Sequence, residues 1–154
     1  MDAIQETIQP SLEYFAGHFD GEGCIYMRMR PESQRARLSI TITAGFKPIL
    51  DAYQRQFGGQ VTKSTMSVNM QLWRWTLSSL PEVAKFLSTL LPFLWEKRGE
   101  AEIALTYLQV RLQYALRGGN GRGSKSEVSI MLDTLSQSTL HSLRSPSNVL
   151  LARP

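Results

Sequence analysis

Two carboxylates lie within one short glycine-rich segment of the chain. Asp20 and Glu22 alternate with Gly21 and Gly23, and no Lys or Arg precedes them. Carboxylate oxygens are hard ligands of the kind that Mg²⁺ prefers. A lone acid in a Gly-Glu-Gly turn is by itself more typical of a solvated loop, so its meaning depends on the elements around it.

The charge distribution separates an acidic start from a basic middle. Residues 1–23 carry five acids and no bases, a balance of −5, whereas residues 24–80 carry eight bases and two acids, a balance of +6. The remaining residues hold nine bases and six acids, a balance of +3. A basic, strand-rich region beside an acidic segment favours a polyanion-binding surface with carboxylates at one point along it.

The hydrophobic pattern predicts the elements that must position these charges. A first helix begins at Ser11 and is stopped by Gly21 and Gly23. Period-two alternation predicts two pairs of strands, each followed by a helix. If the helices cover the apolar face, the result is an α+β fold with an antiparallel four-stranded sheet and a bare polar face. The predicted strands span residues 25–30, 35–43, 61–68 and 70–77, and the helices after them span 47–57, 81–91 and about 95–116.

The end of the chain is predicted to form a smaller part of its own. Residues 1–117 make up the core, and residues 118–154 hold a flexible glycine-rich connection and a helix over about 126–143 that packs on the main body. No apolar run reaches the ~18 residues needed to span a bilayer, and the single Cys24 leaves no internal disulfide. We therefore expect an intracellular chain, in a bacterial or phage cytoplasm or in an organelle.

The acidic segment is part of a longer motif. Residues 14–23, Tyr-Phe-Ala-Gly-His-Phe-Asp-Gly-Glu-Gly, resemble the LAGLIDADG motif of homing endonucleases in the form that ends Asp-Gly-Glu-Gly. The Phe-Gly-Gly at residues 57–59 and the Leu-Pro-Phe-Leu-Trp-Glu-Lys at residues 91–97 lie where that family would have them. The resemblance covers about residues 11–116 and, with one motif, points to the single-motif, homodimeric branch.

This resemblance implies a site-specific enzyme of intron homing that cuts both strands of a pseudo-palindromic DNA target with Mg²⁺. It implies the αββαββα LAGLIDADG endonuclease fold, here with extra C-terminal helices, in which the motif helices of two copies pack on a two-fold axis and the sheets form a saddle over DNA. Small residues would let the two backbones approach closely. We expect no membrane partner and no small-molecule organic cofactor. The predicted interface consists of Phe15, Ala16, Gly17, Phe19, Asp20 and Gly21.

The same resemblance assigns roles in the site. Glu22 is expected to bind the metal with help from the Gly21 carbonyl, and Asp20 is expected to have a structural role at the helix end. Lys97 matches the family's basic residue near the scissile phosphate. The family's Gln before the first outer helix has no counterpart ahead of Lys47, so either that lysine takes over the water-positioning role or nothing does.

The polar face of the sheet is the predicted DNA contact surface. Strand residues two apart are separated by ~6.6 Å, about two base steps, so their side chains can follow a DNA groove. The predicted DNA-binding residues are Tyr26, Arg28, Arg30, Arg35, Arg37, Ser39, Thr41, Thr43, Gln60, Thr62, Ser64, Arg74 and Thr76.

Two other functions use the same residues. An intron maturase would bind RNA with the basic sheet and would not need the metals. A cleavage-deficient DNA-binding regulator would keep the saddle, although Glu22 beside phosphates is unfavourable without a metal. The metal dependence of binding and nicking separates these alternatives from the endonuclease.

Overall fold

The chain folds into one sheet with helices packed on a single face. A computed structural model describes residues 9–30, 35–64 and 70–116. Their order confirms the α+β class and the αββαββα arrangement, with a 3₁₀ turn before the last helix. The elements are α1 (Leu12–Glu22), β1 (Gly23–Arg30), β2 (Arg35–Ala44), α2 (Lys47–Phe57), β3 (Gln60–Lys63), β4 (Trp73–Leu77), α3 (Leu80–Leu90), the 3₁₀ turn (Leu91–Phe93) and α4 (Arg98–Leu116).

The four strands form one antiparallel sheet in the order β1-β2-β4-β3. β1 and β2 pair as the predicted hairpin strands, with Ile25 opposite Ile40, which in turn lies opposite Leu77 on β4. All three side chains are fully buried. Because side chains alternate across a strand, the residues between them point to the other, polar face.

An aromatic cluster fills the space between the sheet and the helices. Trp75, Tyr53, Phe19 and Phe86 are each fully buried. The ring centroid of Trp75 lies 5.0 Å from that of Tyr53 and 5.4 Å from that of Phe86. Burying each large side chain contributes roughly 1.5–3 kcal/mol, so this cluster fixes α1, α2 and α3 on the sheet.

The glycine pair after α2 is required by its backbone geometry. Gly58 and Gly59 both have a φ of 81°, in the left-handed region. A Cβ at Gly59 would lie 2.6 Å from the carbonyl oxygen of Thr76. The indole N–H of Trp75 donates to the Gly58 carbonyl at 2.8 Å. The turn therefore ends α2 and also anchors a core tryptophan.

Several boundaries differ from the sequence-based expectation. α1 continues through Gly21 and ends at Glu22, since an exposed glycine lowers helix stability without ending the helix. β4 begins at Trp73 instead of residue 70, and the described part of β3 ends at Lys63. The glycine-rich connection and the helix predicted over 126–143 lie outside the described residues.

The long helix begins later than predicted, at Arg98 instead of about residue 95. The backbone N–H groups of Trp95 and Lys97 donate to the two carboxylate oxygens of Asp20, at 2.8 and 3.0 Å. These bonds hold the segment before the helix against the end of α1.

In the described part of the chain, no helix has the length and apolar character that crossing a membrane requires.

Candidate nucleic-acid interface and acidic site

Asp20 is a buried structural acid. Its side chain is 9 % exposed, and both of its oxygens accept backbone N–H bonds from the segment that opens α4. Hydrogen bonds to a charged group are stronger than neutral ones and compensate for its burial. This geometry agrees with the structural role that the motif implies.

The Glu22 carboxylate, in contrast, is exposed at the last residue of α1. Among the residues that the structure describes, it has no hydrogen-bond or ion-pair partner. The Lys97 ammonium donates to the Asp20 carbonyl at 2.6 Å and so lies at the same helix end. A cation is favourable there because helix C-termini carry partial negative charge. The helix end thus combines a free carboxylate with a fixed lysine.

The end of α1 does not by itself provide a complete set of metal ligands. No three His, Cys, Asp or Glu side chains of the described residues lie close enough to hold a metal ion together. Mg²⁺ keeps several waters and is bound through one or two carboxylates plus substrate phosphates. Glu22 and the carbonyl of the exposed Gly21 fit that chemistry as part of a ligand set, which needs a second carboxylate from elsewhere.

The outward face of α1 differs from the predicted interface. Phe15, Ala16, Phe19 and Asp20 have side chains buried within the chain itself, because the apolar side of the motif helix packs on its own sheet. Their place in an interface with a second copy stays a prediction. Of the predicted set, Gly17 and Gly21 are exposed, and a Cβ at either position would meet nothing within 4 Å.

The sequence did not reveal two exposed aromatic side chains on or beside this helix. Tyr14 is 57 % exposed, and Trp95, whose N–H is bonded to Asp20, is 89 % exposed. Tyr14 precedes Gly17 by three residues, so helical spacing alone places it on the same face. No sequence pattern signals Trp95, because its position depends on a hydrogen bond to a residue 75 positions earlier.

His18 lies on α1 one turn before Glu22. Its Nδ1 is 3.3 Å from the hydroxyl of Tyr53, which donates to the Phe15 carbonyl at 2.7 Å. Burial lowers the pKa of His18 below its ordinary 6.5, and the nearby Glu22 carboxylate partly opposes this effect. Burial also raises the pKa of the Tyr53 hydroxyl. Both groups are therefore neutral near pH 7 and tie α1 to α2.

The register of the strands arranges the polar face in rows. Arg28 lies opposite Arg37, and Tyr26 lies opposite Ser39. Backbone pairing also places Arg30 opposite Arg35. Three-residue rows then cross β2, β4 and β3. These rows are Thr41, Thr76 and Gln60, and, nearer to Glu22, Thr43, Arg74 and Thr62.

The exposed arginine pair creates an anion-binding feature. Arg28 and Arg37 are both exposed and directly opposite on neighbouring strands. Like charges in that position destabilise a sheet. Neither guanidinium has an acidic partner within residues 9–30, 35–64 and 70–116. A phosphate bound between them would remove the repulsion, which makes this row suited to a nucleic-acid backbone.

Two residues of the predicted contact surface are buried. Ser39 is 7 % exposed, because its short side chain lies on the central strand β2 opposite the larger Tyr26. Ser64 is 8 % exposed, and its backbone N–H donates to the Leu72 carbonyl at 2.8 Å just beyond β3. Their contact with DNA stays a prediction, and in the chain alone both side chains are largely covered.

Lys47 is engaged away from Glu22. Its ammonium binds both oxygens of Asp51, at 2.7 and 2.8 Å, and lies 5.2 Å from the ring centroid of Trp73. Trp73 alternates with Arg74 and therefore belongs to the helix-covered face of β4. Within the described residues no contact joins Lys47 to Glu22 or Lys97, so the structure does not support a water-positioning role for Lys47.

Comparison with known proteins identifies the fold. No family model matches the chain, and no curated protein matches it by sequence. Among solved structures, the homing endonuclease I-CvuI in complex with a DNA target is 21 % identical, with a TM-score of 0.57, over 84 % of this chain and 94 % of that one. The archaeal intron-encoded homing endonuclease I-Vdi141I complexed with DNA is 14 % identical, with a TM-score of 0.54, over 82 % and 96 %.

A longer protein matches over part of its length. The LAGLIDADG homing endonuclease I-SmaMI bound to cleaved DNA is 12 % identical, with a TM-score of 0.61, over 92 % of this chain but 45 % of that one. This chain is therefore equivalent to less than half of I-SmaMI and to nearly all of I-CvuI. The chain has the fold of the LAGLIDADG homing endonucleases.

Proposed function

We propose that the chain is a site-specific DNA endonuclease that acts as a homodimer and cuts both strands of a pseudo-palindromic target with Mg²⁺. The observation that carries this proposal is the exposed, unpartnered Glu22 carboxylate beside Lys97, at one end of a sheet whose polar face carries arginines. A carboxylate beside DNA phosphates is unfavourable unless a cation lies between them. The I-CvuI complexes with DNA were determined in the presence of Mg, with the DNA not cleaved, and in the presence of Ca, which supports a divalent ion beside the DNA and leaves the cutting step to be tested.

The residues at the end of α1 have different proposed roles in the reaction. When bound, divalent ions would activate water and stabilise the leaving oxygen. Glu22 and the Gly21 carbonyl of each copy would hold the ions, and Lys97, fixed by its bond to Asp20, would stabilise charge developing on the phosphate. The water oxygen bonds to phosphorus, the bond from phosphorus to the 3′ oxygen breaks, and a water proton ends on that oxygen.

A second copy completes this site. Gly17 and Gly21 leave open space on α1 for a close helix approach, and the exposed Tyr14 and Trp95 flank it with apolar surface. Such packing would bring two Glu22 carboxylates together, which is favourable only with cations between them. The size relation to I-SmaMI supports two units per functional saddle, because that chain is about twice as long as the matched part.

We expect Gly17→Leu to separate folding from dimerisation. The chain alone has room for the side chain, and replacing a helical glycine stabilises a helix by roughly 0.5–1 kcal/mol. Forcing the two helices apart should cost about 1–3 kcal/mol, which weakens the dimer roughly 5- to 150-fold. Sedimentation equilibrium measures the loss, with Ser88→Leu on the exposed side of α3 as the control. A Gly17→Leu dimer as tight as native would contradict packing through this face.

We expect dimerisation to bury Trp95. Of the three tryptophans, Trp75 is buried, Trp73 is half-buried and Trp95 is 89 % exposed, so fluorescence from a water-exposed indole reports mainly on Trp95. As protein concentration rises through the dimerisation range, emission should shift to shorter wavelength and iodide quenching should fall. Trp95→Phe should remove the change. Constant quenching while sedimentation shows a dimer would exclude Trp95 from the interface.

The metal dependence of cleavage tests the proposed function. The substrate is the host locus with this reading frame and its intervening element removed, incubated with native chain in Mg²⁺, in Ca²⁺ or with chelator. We expect double-strand cutting in Mg²⁺ and none with chelator. Binding without cutting in Mg²⁺ would instead favour a DNA-binding regulator, and tight binding to the intron RNA with faster splicing would favour a maturase.

A further inference from the structure

Arg74 lies in the row of the sheet nearest to Glu22, and no role in the cleavage reaction has yet been assigned to it. Gly23, the residue directly after Glu22, pairs with Ile42, and Thr43 is the next residue of β2, so Glu22 and Thr43 lie at the same end of the β1–β2 pair. Thr43 lies opposite Arg74 on β4. The Arg74 Nε donates to the Thr43 hydroxyl at 3.4 Å, so its guanidinium reaches the end of β2 that lies nearest to Glu22.

The other cations of the sheet lie farther away or on the opposite face. Arg37 is six residues along β2 from Thr43, about 20 Å at the rise of a strand. Lys63 pairs with Trp73 and so belongs to the helix-covered face of its strand. Lys47 is held by Asp51. Among the described cations of the sheet's polar face, Arg74 is thus the one in the row nearest to Glu22, and Lys97 is a second cation at the end of α1.

From this arrangement we propose that Arg74 binds the scissile phosphate and is a catalytic residue. The inference rests on the proposed endonuclease function. Attack on the phosphate concentrates negative charge on its non-bridging oxygens. A planar guanidinium can bind two of these oxygens at once, whereas threonine hydroxyls in the same row provide only neutral hydrogen bonds. Arg74 therefore stabilises the transition state more than the bound substrate.

The test separates binding from the chemical step. Native chain, Arg74→Gln and Arg74→Lys are compared in Mg²⁺ for DNA dissociation constant and for single-turnover cleavage rate at saturating protein. We expect Arg74→Gln to lower the saturated rate roughly 100-fold and to weaken binding less than tenfold. Arg74→Lys keeps the charge without the planar fork and should recover part of the rate. Lys85→Gln, an equal charge loss on the exposed side of α3, should leave both quantities at native values.

The possible results distinguish a failure of the Arg74 inference from a failure of the proposed endonuclease function. If both Arg74 variants weaken binding but cut at the native rate once saturated, Arg74 is only a binding contact and the inference is overturned, while the endonuclease function stands. If native chain binds the locus and does not cut it, the proposed function itself fails and the inference fails with it. Should Arg74→Gln not fold by circular dichroism, an Arg74→Lys rate lowered about tenfold supports the inference, and a native rate overturns it.

Discussion

Glu22→Gln should abolish DNA cleavage while leaving DNA binding intact. The amide keeps the size of the carboxylate but loses the charge that holds a divalent ion, and metal stabilisation of the reacting phosphate amounts to several kcal/mol. At 1.36 kcal/mol for each factor of ten, the rate should fall roughly a thousandfold or more. Because Glu22 is exposed and unpartnered in the described part of the chain, the fold should be unaffected.

The same substitution should also change the DNA affinity measured without metal. In chelator, removing a negative charge beside DNA phosphates should tighten binding, since like charges repel at short range. Electrophoretic mobility shift with chelator and single-turnover cleavage in Mg²⁺ measure the two effects on the same preparation. Glu96→Gln, an exposed acid one residue from Lys97, is the matched control and should retain most of the activity. Cleavage by Glu22→Gln at the native rate would show that another residue binds the metal.

Asp20→Asn should destabilise the fold by about 3 kcal/mol. The asparagine side chain has one acceptor oxygen, so one of the two N–H groups from Trp95 and Lys97 loses its bond and faces an amide donor. A lost hydrogen bond to a charged group costs roughly 1.5–3 kcal/mol, and a partly buried donor left without an acceptor adds about 1 kcal/mol. Urea unfolding measures the loss, and the melting temperature should fall by about 10 °C.

Asp51→Asn is the control for that prediction. Both oxygens of Asp51 also accept hydrogen bonds, but from the single Lys47 ammonium, and this ion pair is partly exposed near the start of α2. Exposed pairs of this spacing contribute roughly 0.3–0.5 kcal/mol. An Asp20→Asn variant as stable as Asp51→Asn would show that the segment before α4 is held by something other than the Asp20 carboxylate.

The two acids of the motif therefore have opposite environments two residues apart. Asp20 is buried and saturated with hydrogen bonds, whereas Glu22 is exposed and unpartnered among the described residues. The helix geometry explains the difference, since residues two apart on a helix point about 200° apart. The Asp20 carboxylate stabilises the fold, whereas the Glu22 carboxylate is accessible from solvent.

Local patterns predicted most of the fold. Alternation placed both faces of β1, β2 and β4, and Pro48 with Gly58 bounded α2 at Lys47 and Phe57 as expected. The start of α4 could not be found this way. Residues 94–97 have helix-compatible side chains, but the backbone N–H groups of Trp95 and Lys97 bond to Asp20, a residue far away in sequence.

The candidate site was predicted less completely than the fold. The family resemblance identified Asp20, Glu22 and Lys97, and the structure brings all three together at the end of α1. The motif sequence did not show which side of α1 faces outward, because its apolar residues pack into the chain's own core. The environment of Lys47 was also hidden, since its contact with Trp73 joins residues that are distant in sequence.

Mapping the cut positions tests the central claim, that two copies of the chain each bring one Glu22 to a shared two-fold site. Both strands of the locus are end-labelled and cut by native chain or Glu22→Gln in Mg²⁺, and the ends are read to single-nucleotide resolution. We predict one cut in each strand, placed symmetrically about the centre of the pseudo-palindrome, and no cut with Glu22→Gln. Cuts confined to one strand, or symmetric cuts that persist in Glu22→Gln, would contradict this account.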